Sequence, residues 1–127
     1  MITRPQVDLL EKLVGKFENL HNELSTLVKK SPNDAVNQFK LKFINIILEE
    51  SNSLLGNNYK PFSEFDAFDS DNVPSNSDVI LIVSQYMSAL EKFRSDHIVY
   101  KDFKWQYDLS PKDGQIPTNM PSKLRKP

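Results

Sequence analysis

The stretch from Thr3 to Lys30 constrains the fold most, because its apolar residues recur with the period of an α-helix. Within the main column, neighbouring members are three or four residues apart, and a second column of every seventh residue runs beside it. The main column is Leu10, Leu13, Phe17, Leu20, Leu24 and Leu27, and the second is Val7, Val14, His21 and Val28. A stripe this wide predicts one long helix packed against two neighbours in a bundle. The seven-residue repeat also leaves a coiled-coil homodimer open as an alternative.

A second helix is expected from the Ser31-Pro32 restart to about Leu55. Serine is a good helix-capping residue, proline suits a first helical position, and Gly56 is a good terminator. The predicted core column of this helix is Val36, Phe39, Phe43, Ile47 and Leu54, with Ile44, Leu48 and Leu55 beside it. So short a connection predicts that the first two helices are antiparallel neighbours, with 34–55 as the nearest partner of the first helix.

Residues 59–77 interleave aromatic and acidic side chains. Phe62, Phe65 and Phe68 are three residues apart, which predicts a long connection held in place by its rings. A third helix is then expected to begin at Ser75 or Ser77 and to end near Val99. Its predicted core positions are Val79, Ile82 or Val83, Tyr86, Leu90 and Phe93.

After Tyr100 the apolar period changes to two, which is typical of a β-strand. The alternating residues are Phe103, Trp105, Tyr107 and Leu109. No second strand is predicted, so this arm either lies extended across the helices or pairs with another molecule. The predicted fold is all-α: a three-helix up-down-up bundle with a long acidic-aromatic loop and an extended aromatic C-terminal arm. Residues 1–109 are expected to form one helical domain, and 110–127 a basic, proline-containing tail.

Charge is distributed unevenly along a chain whose net charge is only -1. Residues 61–100 carry 2 basic and 7 acidic groups, a net of -5, and residues 101–127 carry 6 and 3, a net of +3. Cysteine is absent, which excludes disulfides, zinc–thiolate sites and thiol nucleophiles. The chain starts with a charged amphipathic stretch and has no long apolar run. We therefore expect an intracellular protein, cytoplasmic or nuclear, without a membrane partner.

Catalytic and metal patterns are incomplete. Glu18-x-x-His21 is half of a di-metal motif, and the other histidine, His97, has Arg94 where the second motif needs a glutamate. Asp69-Ser70-Asp71 begins like a calcium loop, which Val73 and Pro74 then break. Glu49 and Glu50 are adjacent, so on a helix their side chains point about 100° apart and form no acid–base pair. His97 next to Asp96 lies near an expected helix end, where the helix dipole favours histidine. The sequence predicts no enzyme activity, no cofactor and no metal.

Surfaces are the remaining candidates for function. The hypothesis is a non-enzymatic subunit or adaptor that contacts a protein partner, with a homodimer as a further option. The residues proposed to bind the partner are Phe103, Trp105, Tyr107, Leu109, Lys123, Arg125 and Lys126. The alternative is a nucleic-acid-binding accessory protein that uses the basic tail together with Trp105 and Tyr107.

Overall fold

A computed structural model of the chain describes residues 1–122, in which three helices pack around one core and a small antiparallel sheet follows them. The helices are α1 (Arg4–Lys30), α2 (Gln38–Tyr59) and α3 (Asn76–Asp96). The strands are β1 (Ile98–Lys101) and β2 (Lys104–Tyr107), and a 3₁₀ turn spans Pro111–Asp113. The prediction of a mostly helical fold is confirmed. The sheet was not predicted.

Helix α1 begins with a complete capping box. The Thr3 hydroxyl accepts a hydrogen bond from the backbone N–H of Gln6, and the Gln6 side chain accepts one from the backbone N–H of Thr3. Lys29 and Lys30 lie in the last turn, where positive charge interacts favourably with the negative end of the helix dipole. The buried side chains of α1 belong to the two predicted columns: Val7, Leu10, Leu13, Phe17 and Leu24.

Helices α1 and α2 are antiparallel neighbours, as predicted. Two ion pairs between them show the direction: Lys16 lies 3.7 Å from Glu50, and Glu23 lies 2.6 Å from Lys40. The main partner of α1 is nevertheless α3, not α2. The ring of Phe17 stacks on the buried ring of Tyr86, with the centroids 6.1 Å apart, so the expectation that 34–55 is the nearest partner is wrong.

Helix α3 runs parallel to α2, which makes the topology up-down-down. The Tyr86 hydroxyl donates to the Asn52 side chain at 2.6 Å, and the Tyr59 hydroxyl donates to Asp96 at 2.9 Å. Residue numbers thus increase in the same direction along both helices. The up-down-up prediction is wrong on this point.

The connection between α2 and α3 explains the parallel order. About 16 extended residues can span about 50 Å, whereas the 22 residues of α2, which is kinked at the non-helical Gly56, extend at most about 33 Å. The chain therefore returns along α2 and reaches its starting end. Asn45 holds the connection by donating to the Phe68 carbonyl and accepting from its N–H, both at 2.9 Å. Asn52 also donates to the Asp66 carbonyl at 2.8 Å.

The start of α2 differs from the prediction. Asn37, not Ser31, caps the helix, and residues 31–37 form an irregular segment. Backbone hydrogen bonds to the start of α3 explain this, because Val36 donates to the Pro74 carbonyl and Asn76 donates to the Asp34 carbonyl. These bonds fix an extended backbone that a helix starting at Ser31 would not provide.

Helix α3 begins after the Ser75 cap, as predicted, but ends at Asp96 rather than near Val99. Ile98–Lys101 instead forms the strand that pairs with Lys104–Tyr107, with Tyr100 opposite Trp105. The predicted strand pattern therefore pairs within the chain, as the second strand of a β-hairpin. It is not a single extended arm.

Candidate interaction surfaces

The turn of the β-hairpin has a backbone conformation that L-residues rarely adopt. Asp102 and Phe103 have φ values of 55° and 64°. Two successive positive φ angles are typical of a type I′ turn, which matches the right-handed twist of the strands and is usually made by Asn-Gly or Asp-Gly. Phenylalanine at the second position retains a Cβ that this conformation disfavours, at a cost of about 1–2 kcal/mol. The backbone conformation that places this ring at the turn is therefore energetically unfavourable for phenylalanine.

The tip of this hairpin exposes aromatic surface. The Phe103 side chain is 94% exposed and Tyr100 is 59% exposed. The Tyr100 ring packs edge-on against the half-buried Trp105 ring, with centroids 5.3 Å apart. The exposed Lys101 and Lys104 are opposite each other next to the turn. We call these five residues the hairpin tip.

Sequence reasoning identified only part of the hairpin tip. It selected Phe103 and Trp105 but missed Tyr100, Lys101 and Lys104, because the third helix was extended to Val99 and no second strand was recognised. A signal was present in Ile98-Val99-Tyr100, three residue types that favour strands.

Of the other predicted partner-binding residues, Tyr107 and Leu109 are not part of this surface. Tyr107 is buried, 3% exposed, and its hydroxyl donates to Glu11 of α1 at 3.3 Å. Burial raises the pKa of Tyr107. Leu109 is half-buried against the core. Lys123, Arg125 and Lys126 lie outside the described residues. A buried Tyr107 ring is not available for base stacking, which weakens the nucleic-acid alternative.

Residues 110–122 pack against the helical domain. Tyr107 donates its N–H to the Ile116 carbonyl, and Thr118 donates to the Trp105 carbonyl, both at 3.1 Å. The chain therefore covers the second edge of β2 itself, and this edge is closed to strand addition by a partner. At the opposite terminus, Arg4 donates to the Asp113 carbonyl at 2.9 Å.

Arg94 of α3 fixes the last described residues. Its guanidinium donates to the Thr118 hydroxyl and to the carbonyls of Asn119 and Met120, each at 2.9 Å. The same group forms a two-point ion pair with Glu91 at 2.7 and 2.8 Å. Burial disfavours the charge on Glu91, but hydrogen bonds from Arg94 and Ser122 outweigh it and lower the pKa of Glu91 from 4.5 to about 2.

A second apolar surface lies on α2, opposite its core face. Phe39, Phe43 and Ile46 are 71%, 48% and 44% exposed, and the two phenylalanine rings pack edge-on with centroids 5.0 Å apart. We call these three residues the α2 outer face. Sequence reasoning placed Phe39 and Phe43 in the core, which is wrong. The actual core positions of α2 are Leu41, Ile44, Leu48, Ser51, Leu54 and Leu55.

Asp96 and His97, two of the residues considered for catalysis, each contact another group. Asp96 accepts hydrogen bonds from Tyr59 and Lys92, while Nδ1 of His97 lies 2.6 Å from the Phe93 carbonyl. Asp96 and His97 therefore form no dyad.

His21, the other histidine, lies near the Ser25 hydroxyl, with Nδ1 at 3.5 Å from its oxygen. Within residues 1–122, no group of three acidic or histidine side chains is arranged to hold a metal ion. In the same part of the chain, no helix combines the length and the apolar character needed to cross a membrane.

Compared with models of known protein families, with curated proteins and with solved structures, the chain matches none of them.

Proposed function

We propose that this chain is a non-enzymatic interaction subunit or adaptor that binds a protein partner through the hairpin tip. The observation that carries this proposal is the position of Phe103, a large apolar side chain that is 94% exposed at a turn of unfavourable backbone conformation. Turn chemistry alone favours asparagine or glycine there. The energetic cost of a phenylalanine at this position is offset if another molecule buries its ring.

The rigidity of the hairpin supports this role. Tyr100 and Trp105 pack together below the turn, and residues 116–118 pair with the second edge of β2. The ring of Phe103 is therefore presented on an ordered support, so little conformational entropy is lost when it binds. Burying a phenylalanine side chain stabilises a complex by roughly 1.5–3 kcal/mol.

The charges around the ring indicate the chemistry of the partner. Lys101 and Lys104 are cross-strand neighbours, and only Asp102 between them carries a negative charge. An apolar pocket with carboxylates on its rim would accept Phe103 and pair with the two lysines. We therefore infer a protein partner with an acidic rim around an apolar pocket.

The test is purification of the protein at native expression levels, followed by mass spectrometry, for the wild type and for Phe103→Asn. Leu81→Asn is the matched control, because Leu81 is 58% exposed on α3, away from the hairpin. We expect one stoichiometric protein partner with the wild type and with Leu81→Asn, and its loss with Phe103→Asn. A monomer without a companion, or a partner that all three proteins retain equally, contradicts the proposal.

A purified partner allows a direct measurement. Trp105 is the only tryptophan of the chain, so its fluorescence reports on the hairpin tip. Partner titration is expected to shift its emission for the wild type and not for Phe103→Asn. Recovery of nucleic acid instead of protein, with affinity that falls steeply with salt, would favour the alternative function.

A further inference from the structure

Helix α2 is apolar on two opposite faces, and only one of them is covered within the described chain. The core face packs against α1 and α3. The α2 outer face, Phe39, Phe43 and Ile46, follows the spacing i, i+4, i+7, so its side chains form one stripe on one side of the helix. Neither the connection 60–75 nor the hairpin buries this stripe.

The charges beside this stripe change sign along the helix. Lys42 and Glu49 are both exposed and lie on the same flank, seven residues or about 10.5 Å apart. Among residues 1–122, neither of them forms an ion pair. The flank is therefore positive towards the start of α2 and negative towards its end. The same flank of a second, antiparallel α2 would present the opposite charge at each of these two positions.

We propose that a second copy of this chain docks on the α2 outer face, with the two α2 helices antiparallel and related by a two-fold axis. Such an axis brings the same flank of both helices together and reverses its direction. Lys42 of each copy then lies opposite Glu49 of the other, and this contact occurs twice. Phe43 and Ile46 lie near the axis, where they bury each other's apolar surface.

The parallel arrangement is disfavoured by the same charges. It places equal levels of the two helices side by side, so Lys42 of one copy lies near Lys40 of the other, and Glu49 lies near Glu50. Lys40 and Glu50 are already paired with Glu23 and Lys16, so Lys42 and Glu49 gain no opposite charge. Like charges across an interface are unfavourable. The charge pattern therefore selects the antiparallel pair, and it favours a second copy over an unrelated occupant because the complementarity is internal to one helix.

The interface is small, with three large apolar side chains per copy, so association is expected to be reversible and dependent on concentration. Sedimentation velocity between about 10 μM and about 1 mM covers the relevant range. The wild type is expected to shift from monomer to dimer across this range. Phe43→Ser is expected to remain monomeric with unchanged helical circular dichroism, because Phe43 is not part of the core.

Charge reversal tests the geometry without disturbing the core. Lys42→Glu or Glu49→Lys alone turns two attractive contacts into two repulsive ones and is expected to weaken association about tenfold or more. The double variant K42E/E49K restores the wild-type affinity. An equimolar mixture of the two single variants also restores it, as a heterodimer. The proposal is overturned if the wild type stays monomeric to about 1 mM, or if Phe43→Ser or the charge reversals leave the dimer unaffected. It is also overturned if neither the double variant nor the mixture of single variants restores association.

Discussion

Tyr100 and Trp105 occupy directly opposed positions in the hairpin, and their rings pack edge-on with centroids 5.3 Å apart. This contact stabilises the hairpin below its turn, and Phe103 at the turn remains almost fully exposed. The hairpin therefore has two kinds of aromatic residue: one pair holds the strands together, and one ring is exposed at the turn.

Phe103→Asn is expected to stabilise the isolated protein while it removes the ring that we propose binds the partner. Asparagine tolerates a φ of 64° better than phenylalanine, so the free energy of unfolding should rise by about 1 kcal/mol in urea denaturation. Phe103→Ala, which keeps the Cβ and the strain, is the control and should leave stability nearly unchanged. A loss of stability in Phe103→Asn would show that the ring has a structural role.

Gly15 and Gly56 are expected to respond to alanine with opposite signs. Gly15 lies in the middle of α1, and a Cβ added there meets nothing within 4 Å, so Gly15→Ala should stabilise the protein by about 1 kcal/mol. Gly56 has a φ of 64° and a ψ of -175°, a combination that is almost restricted to glycine, so Gly56→Ala should destabilise the protein by about 1–3 kcal/mol. Thermal unfolding of both variants measures the two changes in stability. Changes of the same sign would contradict the described geometry.

The sequence predicted α1 and α3 well because each has one dominant apolar stripe and a clear cap. For α2, the predicted core residues Ile44, Leu48, Leu54 and Leu55 are confirmed, but Phe39 and Phe43 are exposed. These two rings extend the helical periodicity to a second face, and periodicity does not say which face meets the core. The hairpin was missed because Asp102-Phe103 lacks the glycine that marks such turns.

The topology and the candidate interaction surface also depend on long-range contacts. The parallel order of α2 and α3 rests on hydrogen bonds between residues far apart in sequence, such as Asn45 with Phe68. Phe103 and Tyr107 both belong to the predicted alternating pattern. Which of them is exposed and which is buried depends on how the two strands of the hairpin pair.

The Glu91–Arg94 ion pair should make stability depend on acid pH. The folded pKa of Glu91 is about 2, below its usual 4.5, so the ion pair contributes fully above about pH 4.5 and is lost as pH falls towards 2. Because the Glu91 side chain is 37% exposed, solvent screening reduces the expected contribution to about 1 kcal/mol. Urea denaturation of the wild type and Glu91→Gln between pH 7 and about pH 2 should show the difference shrinking with falling pH. A constant difference would contradict this role.

Asn45→Ala should loosen the connection between α2 and α3. The change removes two hydrogen bonds to Phe68, which together contribute about 1–3 kcal/mol. Amide hydrogen exchange should accelerate at residues 61–74 more than in α1. Asn57→Ala, at an exposed position, is the control and should leave the exchange unchanged. Equal exchange in both variants would show that Asn45 does not hold the connection.

A contact between the hairpin tip and a protein partner can be detected by site-specific photo-crosslinking in the native cells. A photoreactive phenylalanine analogue at position 103 is compared with the same analogue at position 81, which is also exposed. We expect one discrete adduct, larger than the 14.7 kDa chain, from position 103 and none of that mass from position 81. No adduct from position 103, or the same adducts from both positions, would contradict this contact.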